Sequence, residues 1–193
     1  MKVKGIVILG VREFILQNEG ETSWKGILKN LSDEDRIKID DPYILPTKEY
    51  DIVLYSNLCK AIEKHYGSKC DEIFEHIGEY TAKKVILDMY NYFFKTAKHN
   101  PEKMFSIMTR AIAHISPEQW ETKKLNGNSW ELQCKSPIFK SFSNMINPIC
   151  KRNIGGVKAL LYGVGYKNIK GKTTGMLLDK EKTPVINLHF TWE

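Results

Sequence analysis

The stretch FSIMTRAIAHIS, residues 105–116, is an apolar helical run with one imidazole, His114, near its tip. An imidazole in that place is either a hydrogen-bonded boundary residue or a metal ligand, since neutral imidazole is the commonest metal-binding side chain. The other histidines that fall on helices or at their ends, His65, His76 and His99, have no second ligand nearby in sequence and read as surface or capping residues. Cys59, Cys70, Cys134 and Cys150 contain no CxxC pair, so zinc and dithiol chemistry have no framework and the thiols read as reduced and mostly buried. GYKNIKGKTT, residues 165–174, holds Gly-Lys-Thr, but five residues separate Gly165 from Gly171 where a phosphate cradle needs four. It also leads into a strand pattern instead of the helix whose N-terminus would hold the phosphates. GxSxG and HExxH are absent, and Asp33, Glu34 and Asp35 read as a helix start whose carboxylates complement the dipole. No nucleophile, base and stabiliser can be assembled, which argues against an enzyme.

A chain of 193 residues is long enough for one sizeable core. No apolar run reaches the roughly 18 to 20 residues of a membrane span. The basic, apolar start MKVKGIVILGVREFIL is interrupted by Arg12 and Glu13 and has no small-residue cleavage site, so it reads as a first helix of a cytoplasmic protein. Residues 1–116 carry 17 Lys and Arg against 17 Asp and Glu, and residues 117–193 carry 12 against 6, so the net charge of +6 belongs to the C-terminal part. Such asymmetry suits an acidic partner or anionic surface. Without an Arg-rich cluster or a nucleic-acid motif, nucleic acid is not an expected partner.

The elements that must position these groups fall into two textures. Periodicity predicts a helix over 5–18, and helices from Ser23 and Ser32 as N-caps. A third helix runs from Pro46-Thr47 to Gly67, with Tyr55, Leu58, Cys59, Ile62 and Tyr66 on its buried stripe. A long helical pattern spans 70–98 with Gly78 inside it as a kink or close contact, and Asn100-Pro101 resets the chain for the helix ending at His114. After Pro117 the period becomes two. QWETKKLNGNSWELQCK predicts a hairpin turning at Asn126-Gly127, with Trp130, Leu132 and Cys134 alternating. A helical stretch from Pro137 to about Tyr166, broken near Pro148 and Gly155-Gly156, precedes a second strand pair. There Ile186, Leu188, Phe190 and Trp192 face one way, and Val185, Asn187, His189 and Thr191 the other. The expectation is a single α+β domain over 1–193: a helical part, 1–116, then a four-stranded antiparallel sheet with an intervening helix, 117–193.

KGIVILGVREFILQNEGETSWKGILKNLSDEDR, PTKEYDIVLYSNLCKAIEKHYG, IGEYTAKK and the closing GYKNIKGKTTGMLLDKEKTPVINLHFTW together resemble a bacterial family of similar length with many myxobacterial paralogs. That family is similar to a superfamily of ligand-binding folds: the haem nitric oxide and oxygen binding (H-NOX) sensors, the 4-vinyl reductase domains and the TRAPP vesicle-tethering subunits. The resemblance implies an H-NOX-like fold in which helices and a four-stranded sheet enclose a pocket. Laid on the haem sensors, Val7, Val11, Val85 and Met89 fall on the pocket lining, Met108 and Ala111 on the helix ahead of the sheet are expected to bind the ligand with them, and His114 matches the proximal ligand. The vinyl-reductase cysteines of the last hairpin have no counterpart after Cys150. The haem sensors' propionate clamp, Tyr-x-Ser-x-Arg, meets Cys134-Lys135-Ser136-Pro137-Ile138 here, so only the serine matches. Lys135 or Lys140 would give a point charge in place of a bidentate fork.

The resulting expectation is a non-catalytic sensory or regulatory domain that binds a small apolar or amphipathic, lipid-like molecule in an internal pocket and signals to a separate protein. No cofactor is expected. The alternatives are a haem-based nitric oxide or oxygen sensor with His114 as the metal ligand, and an interaction or scaffold protein with a closed pocket, acting through its basic part or as a homodimer.

Overall fold

The computed structural model describes residues 1–87, 91–97, 100–114, 118–179 and 182–193, with the backbone alone at 85–87, 91, 93 and 94. The chain opens with β1 (Lys2–Lys4), which pairs antiparallel with β2 (Glu49–Asp51). Helix α1 (Gly5–Phe14) runs on as a π-helical turn, Ile15–Glu19, where the sequence predicts an unbroken helix. The Asn18 side-chain amide donates to the Phe14 carbonyl (3.0 Å), competing there with the regular backbone ladder. Then come α2 (Gly20–Leu28), α3 (Asp33–Ile39), α4 (Ile52–Tyr66) and α5 (Cys70–Thr81). A second π-helical segment, Ala82–Leu87, leads to α6 (Asn91–Thr96) and α7 (Pro101–Ala113).

Side-chain caps set several of these starts. Ser32 Oγ accepts from Asp35 N–H (3.2 Å) at α3, and Asn100 Oδ1 accepts from Lys103 N–H (3.0 Å) at α7, with Pro101 in the first turn. Two expected starts move. Ser23 lies inside α2, where its hydroxyl donates to the Glu19 carbonyl (2.9 Å). The third helix begins at Ile52, not Pro46, because residues 49–51 are taken by the strand pairing and Asp51 then caps Val53 N–H (2.9 Å). It stops as expected at Gly67, whose φ of +55° favours glycine.

The sheet is built from β3 (Gln119–Asn126), β4 (Ser129–Lys135), β5 (Lys170–Leu178) and β6 (Pro184–Thr191), all antiparallel in the order β3-β4-β6-β5. The alternation is as expected: Trp130 pairs with Phe190, Leu132 with Leu188 and Cys134 with Ile186, all buried. Between the hairpins lie α8 (Pro137–Ser141), a 3-10 turn over 143–145, and α9 (Ile146–Gly163). Helix α9 runs unbroken through both expected break points. Pro148 sits in its first turn, where a missing N–H has no intrahelical partner anyway. Gly155 serves packing, while Gly156 has room for a β-carbon.

Helices α5 and α9 approach backbone to backbone. A β-carbon on Gly78 would collide with the Arg152 carbonyl, and one on Gly155 with the Glu75 carbonyl. Ion pairs flank this contact, Lys158 with Glu75 and Lys151 with Asp71 (3.0 Å). Part of the C-terminal basic excess is thus paired with carboxylates of the helical part. From α7, Phe105 stacks on Trp130 of the sheet (centroids 5.0 Å apart, planes 24° apart), so α7, α9 and the sheet share a core. Among the described residues, no helix is long and apolar enough to cross a membrane.

Candidate ligand-binding site

Where α5, α7, α9 and β4 converge, they leave a cavity of about 50 Å³. Ala82, Met108, Ile112, Leu132, Val157 and Leu160 make most of its wall apolar, and Thr81, Arg152 and Asn153 add polar groups. The Thr81 hydroxyl is committed to the Ile77 carbonyl (2.8 Å). Arg152 is therefore the charged group of this wall.

Arg152 comes from the stripe of α9 that also carries Ile149, Gly156 and Leu160 at three- and four-residue steps. The residue is half-buried and lines the cavity. Its guanidinium donates to Tyr55 Oη from α4 and lies 5.4 Å from the Tyr55 ring centroid, a cation–π contact. Tyr55 is 2% exposed and Cys59, one turn on, is fully buried. Burial drives the Tyr55 phenol well above its usual range and pushes the Cys59 thiol up to about 12, so both stay neutral. Glu118, just ahead of β3, is 5% exposed and within electrostatic reach of Arg152, Tyr55 and Cys134. Its Oε2 has no hydrogen-bond partner among the described residues. Burial raises its carboxyl above the ordinary carboxylate range, with Arg152 opposing. For Arg152 itself, burial disfavours the charge, but Tyr55 and Glu118 outweigh it and the group remains a cation.

The residues singled out from sequence scatter. Met108 lines the cavity, and Ala111 is buried on the same face of α7. Val7 and Val11 are buried on α1 but are not part of the cavity wall. Val85 lies in the second π-helical segment with its side chain outside the described residues, and Met89 is outside them altogether. His114 is the C-cap of α7; its backbone N–H donates to the Ala111 carbonyl (3.2 Å) and its residue surface is exposed. Sequence reasoning missed Arg152, Tyr55 and Glu118 as site residues. Arg152 did leave a signal, a charge on an apolar helical stripe beside two glycines; Glu118 left none.

A model of the haem-NO-binding family matches residues 4–118, more than half of the chain. The chain belongs to this family. Solved H-NOX structures share its fold over nearly the whole length. The Fe(II) unliganded H-NOX protein from K. algicida has a TM-score of 0.67 at 13% identity, covering 98% of this chain and 96% of that one. A mutant H-NOX protein from S. oneidensis in the Fe(II) ligation state gives 0.64 at 10% identity, covering 98% and 96%. A mutant of T. tengcongensis H-NOX gives 0.60 at 12%, covering 97% and 95%. No curated protein matches the chain.

The family name implies haem, and the described residues do not fit haem on His114. The buried face of α7 is Met104, Phe105, Met108 and Ala111, with no imidazole, and His114 points its surface to solvent. The cavity of about 50 Å³ is far below the roughly 300 Å³ at which pockets for drug-sized ligands begin. Ser136, the one clamp residue that matches, is buried and spends its hydroxyl capping Ile138 N–H (3.2 Å) at α8. Lys135 is paired with Asp179 (2.5 Å).

Proposed function

We propose that this member of the haem-NO-binding family is a non-catalytic regulatory domain that takes a small molecule into the cavity between α5, α7, α9 and β4, with a separate signalling protein as its output. The observation that carries the reading is Arg152, the cation of a mostly apolar wall between the helices and the sheet. Small-molecule sites combine such apolar walls with a few placed polar groups. Helix α9 packs on α5 and also on β5 and β6, so a change at Arg152 reaches both the helical part and the sheet.

Native mass spectrometry of gently purified protein, set beside its denatured mass, tests this. The expected result is a small adduct released on denaturation; a bare mass from every host and buffer would count against a resident ligand.

The family match favours a second reading, a haem-based gas sensor. Protein made in cells supplied with haem precursor separates the two. A Soret band lost in His114→Ala supports the sensor with that ligand; a spectrum without the band ends it.

A further inference from the structure

The Arg152 guanidinium carries five N–H donors, and among the described residues its one hydrogen-bond acceptor is Tyr55 Oη. Polar groups enclosed by protein without partners are rare, and each one points to an ordered water, an ion or a ligand. Glu118 repeats the pattern: a carboxyl 5% exposed, close enough to feel Arg152, with Oε2 unpaired among the described residues. The carboxyl and the guanidinium interact through space without a hydrogen bond between them. The half-buried Arg152 lines the cavity, and its enclosed neighbour Glu118 keeps an unpaired oxygen among the described residues.

Resting on the reading of this cavity as a ligand site, we infer that it takes a small planar oxyanion, held by the free edge of the Arg152 guanidinium. A guanidinium fork matches two oxygens of a planar anion, and such charge-assisted pairs are the strong ones in a buried setting. Size limits the guest. A cavity of about 150 Å³ admits benzene, and about 50 Å³ admits an ion on the order of three or four heavy atoms, such as formate or nitrate. The neighbours are compatible with a negative guest. Burial keeps Tyr55 and Cys59 neutral, so neither places a negative charge beside the guest. Arg152 stays a cation, the charge that a negative guest meets in this wall.

Sodium formate and sodium nitrate are titrated into the intact protein at constant ionic strength, with sodium chloride and sodium benzoate as controls. The readouts are thermal unfolding and the Arg Nε–H resonances. Saturable stabilisation and a shifted Arg152 resonance with formate or nitrate, but not with chloride or benzoate, is the expected result, and the tighter of the two tells a carboxylate source from a nitrogen oxyanion. Arg152→Lys, which keeps the charge and loses the fork, weakens the effect by about tenfold or more. If that variant does not fold, the wild-type resonance still decides. An Arg152 resonance that ignores both oxyanions, or a response shared by chloride, overturns the inference. A protein that carries a neutral adduct in native mass spectrometry and ignores oxyanions loses this inference and keeps the sensory reading; one with neither loses both.

Discussion

Gly78 of α5 and Arg152 of α9 are in backbone contact, with no room for a β-carbon between them. That contact holds the charged wall of the cavity against its apolar side. Gly78→Ala should therefore destabilise the protein by about 1–3 kcal/mol, because the helices must separate. Gly156→Ala is the control. For a β-carbon there, the nearest neighbours, the Gly78 carbonyl and Ala82 Cβ, would be 3.6 and 3.8 Å away, so the helix-propensity gain of up to about 1 kcal/mol prevails. Urea midpoints of the two variants should move in opposite directions, and equal midpoints would contradict the close approach.

His114→Ala should leave thermal stability unchanged to within about 0.5 kcal/mol, because alanine keeps the backbone bond by which this residue caps α7. The residue is exposed and its recorded contact is made by its backbone. A large loss of stability would place the imidazole inside.

Glu118→Gln tests the buried carboxyl through pH. Burial raises the folded-state pKa of Glu118, so above the unfolded value the folded chain binds the proton that the unfolded chain has released. Stability from this group then falls as pH rises from the unfolded pKa through the folded one. A permanently neutral glutamine escapes that loss. The variant should gain on wild type as pH rises above about 4 and lose the advantage below it. A difference in melting temperature that is flat with pH would contradict an elevated carboxyl.

Asp51 both ends β2 and caps α4 through Val53 N–H. Asp51→Ala should cost about 1 kcal/mol in chemical denaturation, and Asp51→Asn much less, since asparagine caps as well. Equal losses in the two variants would mean that charge, and not the cap, is at work.

Phe105→Ala removes a fully buried ring stacked on Trp130 and tilted against Trp192. About 3–5 kcal/mol of stability should go with it. Tryptophan emission should shift to the red as water gains access; an unchanged spectrum would argue against the stack.

Local elements were legible from the residues alone. Strand alternation put Trp130, Leu132 and Cys134 on one face and Ile186, Leu188, Phe190 and Trp192 on one face, because side chains in a strand point to opposite sides with a period of two. Asn100, Ser32 and Gly67 marked helix ends because their chemistry satisfies orphan backbone groups or a left-handed turn. The family likeness rested on longer stretches, 4–36, 46–67, 77–84 and 165–192.

Which groups meet is set by packing in three dimensions. Arg152 and Tyr55 are 97 residues apart, and no periodicity links a stripe on α9 to a ring on α4. His114 illustrates the limit most sharply. It follows Ala111 by three residues, so an uninterrupted helix would carry it round toward the buried side, but α7 ends at Ala113 and leaves His114 as an exposed cap. Periodicity reports the face of a helix; depth at its end depends on where the chain turns away, and on what packs there.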